Sequence, residues 1–114
     1  MLPDFVIAND NFLELSFKEI NKLTPIRMSK DLVFQNAEKN DKGLIMNIHL
    51  VTYDKKRFDI KKIEESSQKQ VLSNVCNDDV AKAVLERGYI LEYVYTDKND
   101  ELMTTVEIKK GACS

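Results

Sequence analysis

Between Leu44 and Tyr53 the side chains alternate with a period of two, a pattern that suits a strand and not a helix. Leu44, Met46, Ile48 and Leu50 share one face, and Ile45, Asn47, His49, Val51 and Tyr53 share the other. The first face is wholly apolar and the second is mixed, which predicts a sheet covered on one side only. Upstream, Leu32 and Phe34 alternate with Val33 and Gln35, and Asn40, Asp41 and Gly43 suit the dihedrals of a turn. Residues 31–53 therefore read as a β-hairpin. Residues 89–110 read as a second one. Tyr89, Leu91, Tyr93 and Tyr95 face one way, against Ile90, Glu92, Val94 and Thr96. After a turn in "DKND", the return strand places Leu102, Thr104, Val106 and Ile108 on one face.

Two helices are predicted between the hairpins, over residues 59–87. Asp59 suits an N-cap, and Ile60, Ile63, Ser67, Val71, Leu72 and Val75 follow a helical stripe that should end near Asn74. Asn77 reads as the next N-cap, with Asp78 and Asp79 in the first turn, where the macrodipole favours negative charge. Val80, Ala81, Val84 and Leu85 form the expected buried side, and Gly88 sits where a helix-ending glycine belongs. Ahead of the first hairpin, Phe12, Leu15, Ile20 and Leu23 fit one helical face, although "LELSF" also alternates like a strand. Ser16 and Glu19 have capping-box spacing and Pro25 blocks continuation, so a helix is expected from 12 or 17 to 23. Residues 1–11 are expected to be a poorly ordered N-terminal segment. The order α-ββ-αα-ββ predicts one α+β domain over residues 1–114. Its sheet would be four-stranded and mostly antiparallel, built of two hairpins, with two or three helices packed on one face.

The chain has 114 residues, which leaves no room for a second domain. Its net charge is −2 and its pI about 5.4, with acidic and basic residues interspersed. Nucleic-acid binding needs a basic excess on one face, so that class is set aside. No apolar run approaches the ~20 residues that cross a bilayer. "MLPDFVIAND" has no basic n-region, so an exported form of this protein would be a mature or trimmed piece that once followed a signal or anchor.

The two cysteines, Cys76 and Cys113, bracket the last structural unit. A metal site needs three or four ligands, and two cysteines with the distant His49 do not supply them. Thiol catalysis needs a partner base, and nothing ties His49 to either cysteine. There is no G-x-S-x-G, H-E-x-x-H or Gly-rich phosphate loop, and no carboxylate pair is marked out for acid–base work. The expectation is no enzyme, no catalytic residue, no metal and no cofactor. Two readings of the cysteines remain open. One is a pair of unpaired thiols in a reducing compartment. The favoured one is a Cys76–Cys113 disulfide that pins the C-terminal end to the helices, and this implies an oxidising compartment.

The stretch "VCNDDVAKAVLERGYILEYVYTDKNDELMTTVEIKKGAC" resembles a pattern found in small exported bacterial proteins of poorly defined function. It consists of Val-Cys, an acidic-capped helix, "L..G", a "Y.Y.D" strand and turn, and a terminal cysteine. The matching positions are Val75, Cys76, Leu85, Gly88, Tyr93, Tyr95, Asp97 and Cys113. "INKLTPIRMSKDLVFQNAEKNDKGLIMNIHLV" is similar to the segment before it. A narrower resemblance is to the periplasmic domain of single-pass accessory proteins that partner ToxR-type membrane-bound transcription regulators of pilus or virulence genes. It implies a periplasmic location, a membrane anchor trimmed from this chain, and a membrane-bound protein partner.

Among candidate binding residues, Tyr89, Tyr93 and Tyr95 form an aromatic stripe that suits either a partner surface or the core. Met46, on the return strand of the first hairpin, is an adaptable apolar side chain. His49 is either a pH-responsive group or a partly exposed sheet residue. The expected function is a non-enzymatic periplasmic interaction module that stabilises or tunes a membrane-bound regulatory partner. β-augmentation at a sheet edge is one docking mode. The alternative is a sensor or carrier of a small apolar ligand in a pocket between sheet and helices.

Overall fold

The two hairpins form as the alternation dictates, but they meet side by side in the same direction. The computed structural model describes residues 2–113, and of residues 2–11 the backbone alone. The elements are α1 (Leu2–Leu23), β1 (Ile26–Arg27), β2 (Leu32–Asn40), β3 (Gly43–Leu50), a 3₁₀ turn (Lys55–Arg57), α2 (Ile60–Cys76), α3 (Asp79–Glu86), β4 (Ile90–Thr96) and β5 (Leu102–Ile108). The sheet has five strands in the order β1-β2-β3-β4-β5. β3 and β4 pair in parallel, with Gly43 opposite Ile90 and His49 opposite Thr96, and the other pairs are antiparallel. This corrects the expected four-stranded, mostly antiparallel sheet. A parallel pair needs a long crossover, and α2 and α3 together supply it. The additional strand, β1, is two residues long, too short for periodicity to reveal.

The buried face carries Leu44, Met46, Ile48 and Leu50 of β3, Leu91 and Tyr95 of β4, and Val106 and Ile108 of β5. All three helices pack on it, contributing Leu13, Val71, Val75, Val84 and Leu85 to the core, which also takes in Met103. Burying each such side chain contributes about 1.5–3 kcal/mol. A bulge between Phe34 and Asn36 shifts the parity of β2, so that Ala37 takes the inward position that strict alternation would give to Asn36.

Several caps follow the sequence reading and two depart from it. Asp59 caps α2, its side chain accepting from the Lys61 N–H. α2 runs two residues past Asn74, to Cys76. Asn77 is its C-cap, and Asp78 caps α3 by accepting from the N–H groups of Val80 and Ala81. After α3, Gly88 (φ +88°) donates to Leu85 O and Tyr89 to Val84 O, the paired bonds that close a helix on a left-handed glycine. α1 is helical from Leu2, so Ser16 and Glu19 lie inside it and do not form a capping box. Of the expected poorly ordered segment, Met1 lies outside the described residues, and residues 2–11 have helical backbone.

Two polar side chains fix the ends of this layer. The Asn21 amide on α1 pairs with the β2 backbone like a strand, donating to Ala37 O at 2.9 Å and accepting from the Ala37 N–H at 2.8 Å. Asp97 is fully buried at the end of β4. Its carboxylate accepts from the N–H groups of Lys55 (2.9 Å), Asn99 (2.8 Å) and Glu101 (2.9 Å), tying the β4–β5 turn to the 3₁₀ turn. The Lys55 N–H is the largest influence holding this carboxyl below its ordinary value of 3.8; burial pulls the other way, and the Glu101 and Asn99 N–H groups and the nearby His49 reinforce the lowering. A group with a depressed folded-state pKa confers stability that is fully present above its unfolded value and lost as pH falls through the folded value. The melting temperature of the wild type should therefore decline as pH drops below about 3.8. Asp97→Asn, whose NH₂ would face a backbone donor, should melt lower at neutral pH and lack that part of the acid limb. Superimposable acid limbs for the two proteins would refute this role.

Candidate partner-binding groove

α1 and α3 stand on the same sheet face but are not packed against each other along their length, and between them lies an apolar groove of about 610 Å³. Its floor is Phe34, Leu44, Met46, Ile48, Leu91 and Tyr93. One wall is α1, with Phe12, Leu15, Ile20 and Leu23; the other is α3, with Val80, Ala81 and Val84. Met28, from the segment after β1, also lines it. The walls are joined at Phe12, where the Arg87 guanidinium stands 3.7 Å over the ring. The Asn21 amide sets the position of α1, and the Asp78 cap and Gly88 terminus define α3.

The rim is as apolar as the floor. Leu15 is 62% exposed, Leu23 69%, Met28 55% and Val80 53%. These are four of the six large hydrophobic side chains that the described residues leave exposed, and all four line this groove. Scattered exposed hydrophobics need no explanation, but a contiguous set around a concavity marks a binding surface. The polar lining is sparse: Ser16 and Glu19 on the α1 side, Asn74 and Asp78 on the other, and the Tyr93 hydroxyl. Burial raises the Tyr93 phenol well above its ordinary value, with Tyr95 and Asp78 adding to it, so it stands in the groove as a neutral hydroxyl.

The candidate residues read from the sequence separate. Met46 and Tyr93 are in the groove. Tyr95 belongs to the core, where burial pushes its phenol up to about 12 while a hydrogen bond with Ser67 of α2 opposes the rise. Tyr89 is half-buried at the start of the second hairpin and packs against the core. His49 lies on the other face of the sheet, its Nδ1 3.2 Å from Thr96 Oγ1 and 3.6 Å from Asp100 Oδ1. Val80, expected on the buried side of α3, is on the rim. Cys76 and Cys113 are bridged. The bridge holds the end of α2 to the segment after β5, just before the Asp78 cap that begins the groove wall.

Leu23, Met28, Leu15 and Val80 were not read as site residues. Their signal was an apolar surplus: α1 carries Phe12, Leu13, Leu15, Phe17, Ile20 and Leu23, more than one core-facing stripe uses.

No family model matches the chain, and no curated protein matches it. Among solved structures, it is similar to a presumed secreted protein from Pseudomonas aeruginosa, at 24% identity and a TM-score of 0.80, over 95% of each chain. It is also similar to EpsS, the pilotin from the Vibrio vulnificus type 2 secretion system (11% identity, TM-score 0.69, 93% of this chain and 94% of that one). A third is AspS, a type II secretion system pilotin from Vibrio cholerae (14% identity, TM-score 0.66, 96% and 98%). At these identities the likeness is one of fold, and it runs the length of the described domain.

Proposed function

We propose that this chain is a non-enzymatic, extracytoplasmic adaptor that holds an amphipathic helical segment of a protein partner in the α1–α3 groove. The observation that carries this reading is the ring of exposed apolar side chains around an apolar floor. The groove has room for the roughly four or five apolar side chains that one face of a three-turn amphipathic helix presents. Of the three helices on this sheet face, α1 and α3 flank a gap, and a further helix laid in it would complete the layer. The disulfide supports an oxidising compartment. The fold shared with two secretion-system pilotins favours a secretion-system component as the partner, with a membrane-bound regulator as the second partner to test.

The test is photo-crosslinking in the native host, with the cross-linking residue placed in turn at Leu15, Val80 and Thr105. Thr105 is exposed on the opposite sheet face. Leu15 and Val80 should capture the same protein, Thr105 should not, and the captured peptide should have apolar residues at i, i+3, i+4 and i+7. Leu15→Glu and Val80→Glu should weaken capture at least tenfold with an unchanged melting curve, since each puts a charge into an apolar contact. Capture of a lipid or small apolar molecule instead would replace the adaptor reading with the carrier reading.

A further inference from the structure

We infer that the segment held in the groove is a basic amphipathic helix, and that Glu19 and Asp78 select it. This rests on the groove being a partner site as proposed above. Among the described residues lining the groove, only two side chains are charged; both are carboxylates, and they stand one on each wall. An apolar face laid across the groove shields both rims from water. Each carboxylate has a partner on one oxygen, Lys22 for Glu19 and the first α3 N–H groups for Asp78, but an occupant would take water from the other oxygen, so one that brings cations to the rims binds more tightly than one that does not. Helix dipoles act in the same direction. α1 ends at Leu23 and α2 at Cys76, close to the lining residues Leu23 and Asn74, so two negative helix ends adjoin the groove. The positive end of α3 is already answered by Asp78, which accepts from the Val80 and Ala81 N–H groups. Two cations beside the groove are engaged within the protein: Lys22 lies 2.9 Å from Glu19, and Arg87 covers Phe12. Lys22 partly offsets Glu19, which makes Asp78 the stronger selector. The occupant is therefore a helix with a central apolar stripe and Lys or Arg along its edges. An acidic helix of the same stripe is disfavoured, and so is an anionic lipid surface.

The experiment uses 18-residue peptides with Leu, Ile or Phe stripes, each made with Lys-flanked and Glu-flanked edges and labelled with fluorescein. Binding to the disulfide-intact domain is read by anisotropy at low and high salt. The expected result is that Lys-flanked peptides bind roughly tenfold tighter than their Glu-flanked twins at low salt, with the gap closing at high salt. The preference should shrink in Asp78→Asn, which keeps a good N-cap, and nearly vanish in the Glu19→Gln, Asp78→Asn double variant. Equal binding of both peptide sets, abolished by Val80→Glu, would overturn the charge selection and leave the groove reading standing. No binding, or binding indifferent to Val80→Glu, would overturn both. Tighter binding to vesicles of phosphatidylcholine and phosphatidylglycerol than to the Lys-flanked peptides would overturn the protein-helix assignment.

Discussion

Replacing both Cys76 and Cys113 by serine should lower the unfolding free energy by about 4 kcal/mol, which is the loop-closure entropy of a cross-link spanning 37 residues. The bridge closes over α3, β4 and β5, so its loss frees the C-terminal segment beyond Ile108 and the α2 end together. α2 packs on β5, and the disulfide joins the two at their ends. Urea unfolding of the wild type and of the double variant should differ in midpoint with similar slopes, and reduction of the wild type should reproduce the variant. A midpoint unchanged by reduction would remove the bridge from the account of stability. The groove should suffer with it. Asp78, two residues past Cys76, begins the α3 wall, so reduced protein should also bind Lys-flanked peptides more weakly.

Gly43→Ala, at the buried first residue of β3, should cost about 3 kcal/mol, the upper end of the usual overpacking range. A Cβ at this position would stand 2.0 Å from the Ile90 carbonyl oxygen and 2.7 Å from its nitrogen, and both are backbone atoms that cannot rotate away. Gly43 opens β3 opposite Ile90, the first pair of the parallel seam, and the Ile90 N–H donates to Lys42 O at 2.8 Å beside it. The variant must part β3 from β4 where Leu44 and Leu91, both almost wholly buried, come next. Gly111→Ala is the control. It has positive φ (+93°) but nothing within 4 Å of a new Cβ, so only backbone strain opposes it. Thermal melts should rank the wild type first, Gly111→Ala next and Gly43→Ala last. The reverse order of the two variants would refute the seam argument.

Both hairpins were legible because β3 and β4 each carry a period of two over seven or more residues beside turn-forming residues, and the α2 cap was legible because Asp59 stands just before an apolar stripe. The parallel seam was not. β3 and β4 carry the same alternation whichever edge they present, and nothing local to either strand records its neighbour. Two intervening helices are the only hint. Gly43 looked like a turn residue and is one, but its second duty is to admit Ile90, a contact forty-odd residues away in the chain. Asp97 likewise looked like a turn residue, and its reach to the Lys55 N–H has no sequence signature. The groove was half visible. Met46 stood out as an adaptable side chain and Tyr93 as part of an aromatic stripe, yet Leu15 was legible only as part of one helical face and Val80 as part of a buried one. Hydrophobic periodicity reports that a face is apolar and not what covers it. Asp78 was read as first-turn charge, because a helix start explains a carboxylate so readily that a second role leaves no trace.

The Asn21 amide has a consequence for how the groove can respond to an occupant. By pairing with both backbone groups of Ala37, it keys α1 to the sheet as a tooth is keyed to a rack. Sliding that helix by one residue would break two hydrogen bonds at once, and tilting it away would break the same two. The wall bearing Leu15 and Leu23 is thus a fixed jaw. Any adjustment of width falls to the shorter α3, so partners of different girth would be told apart by how far one eight-residue helix can yield.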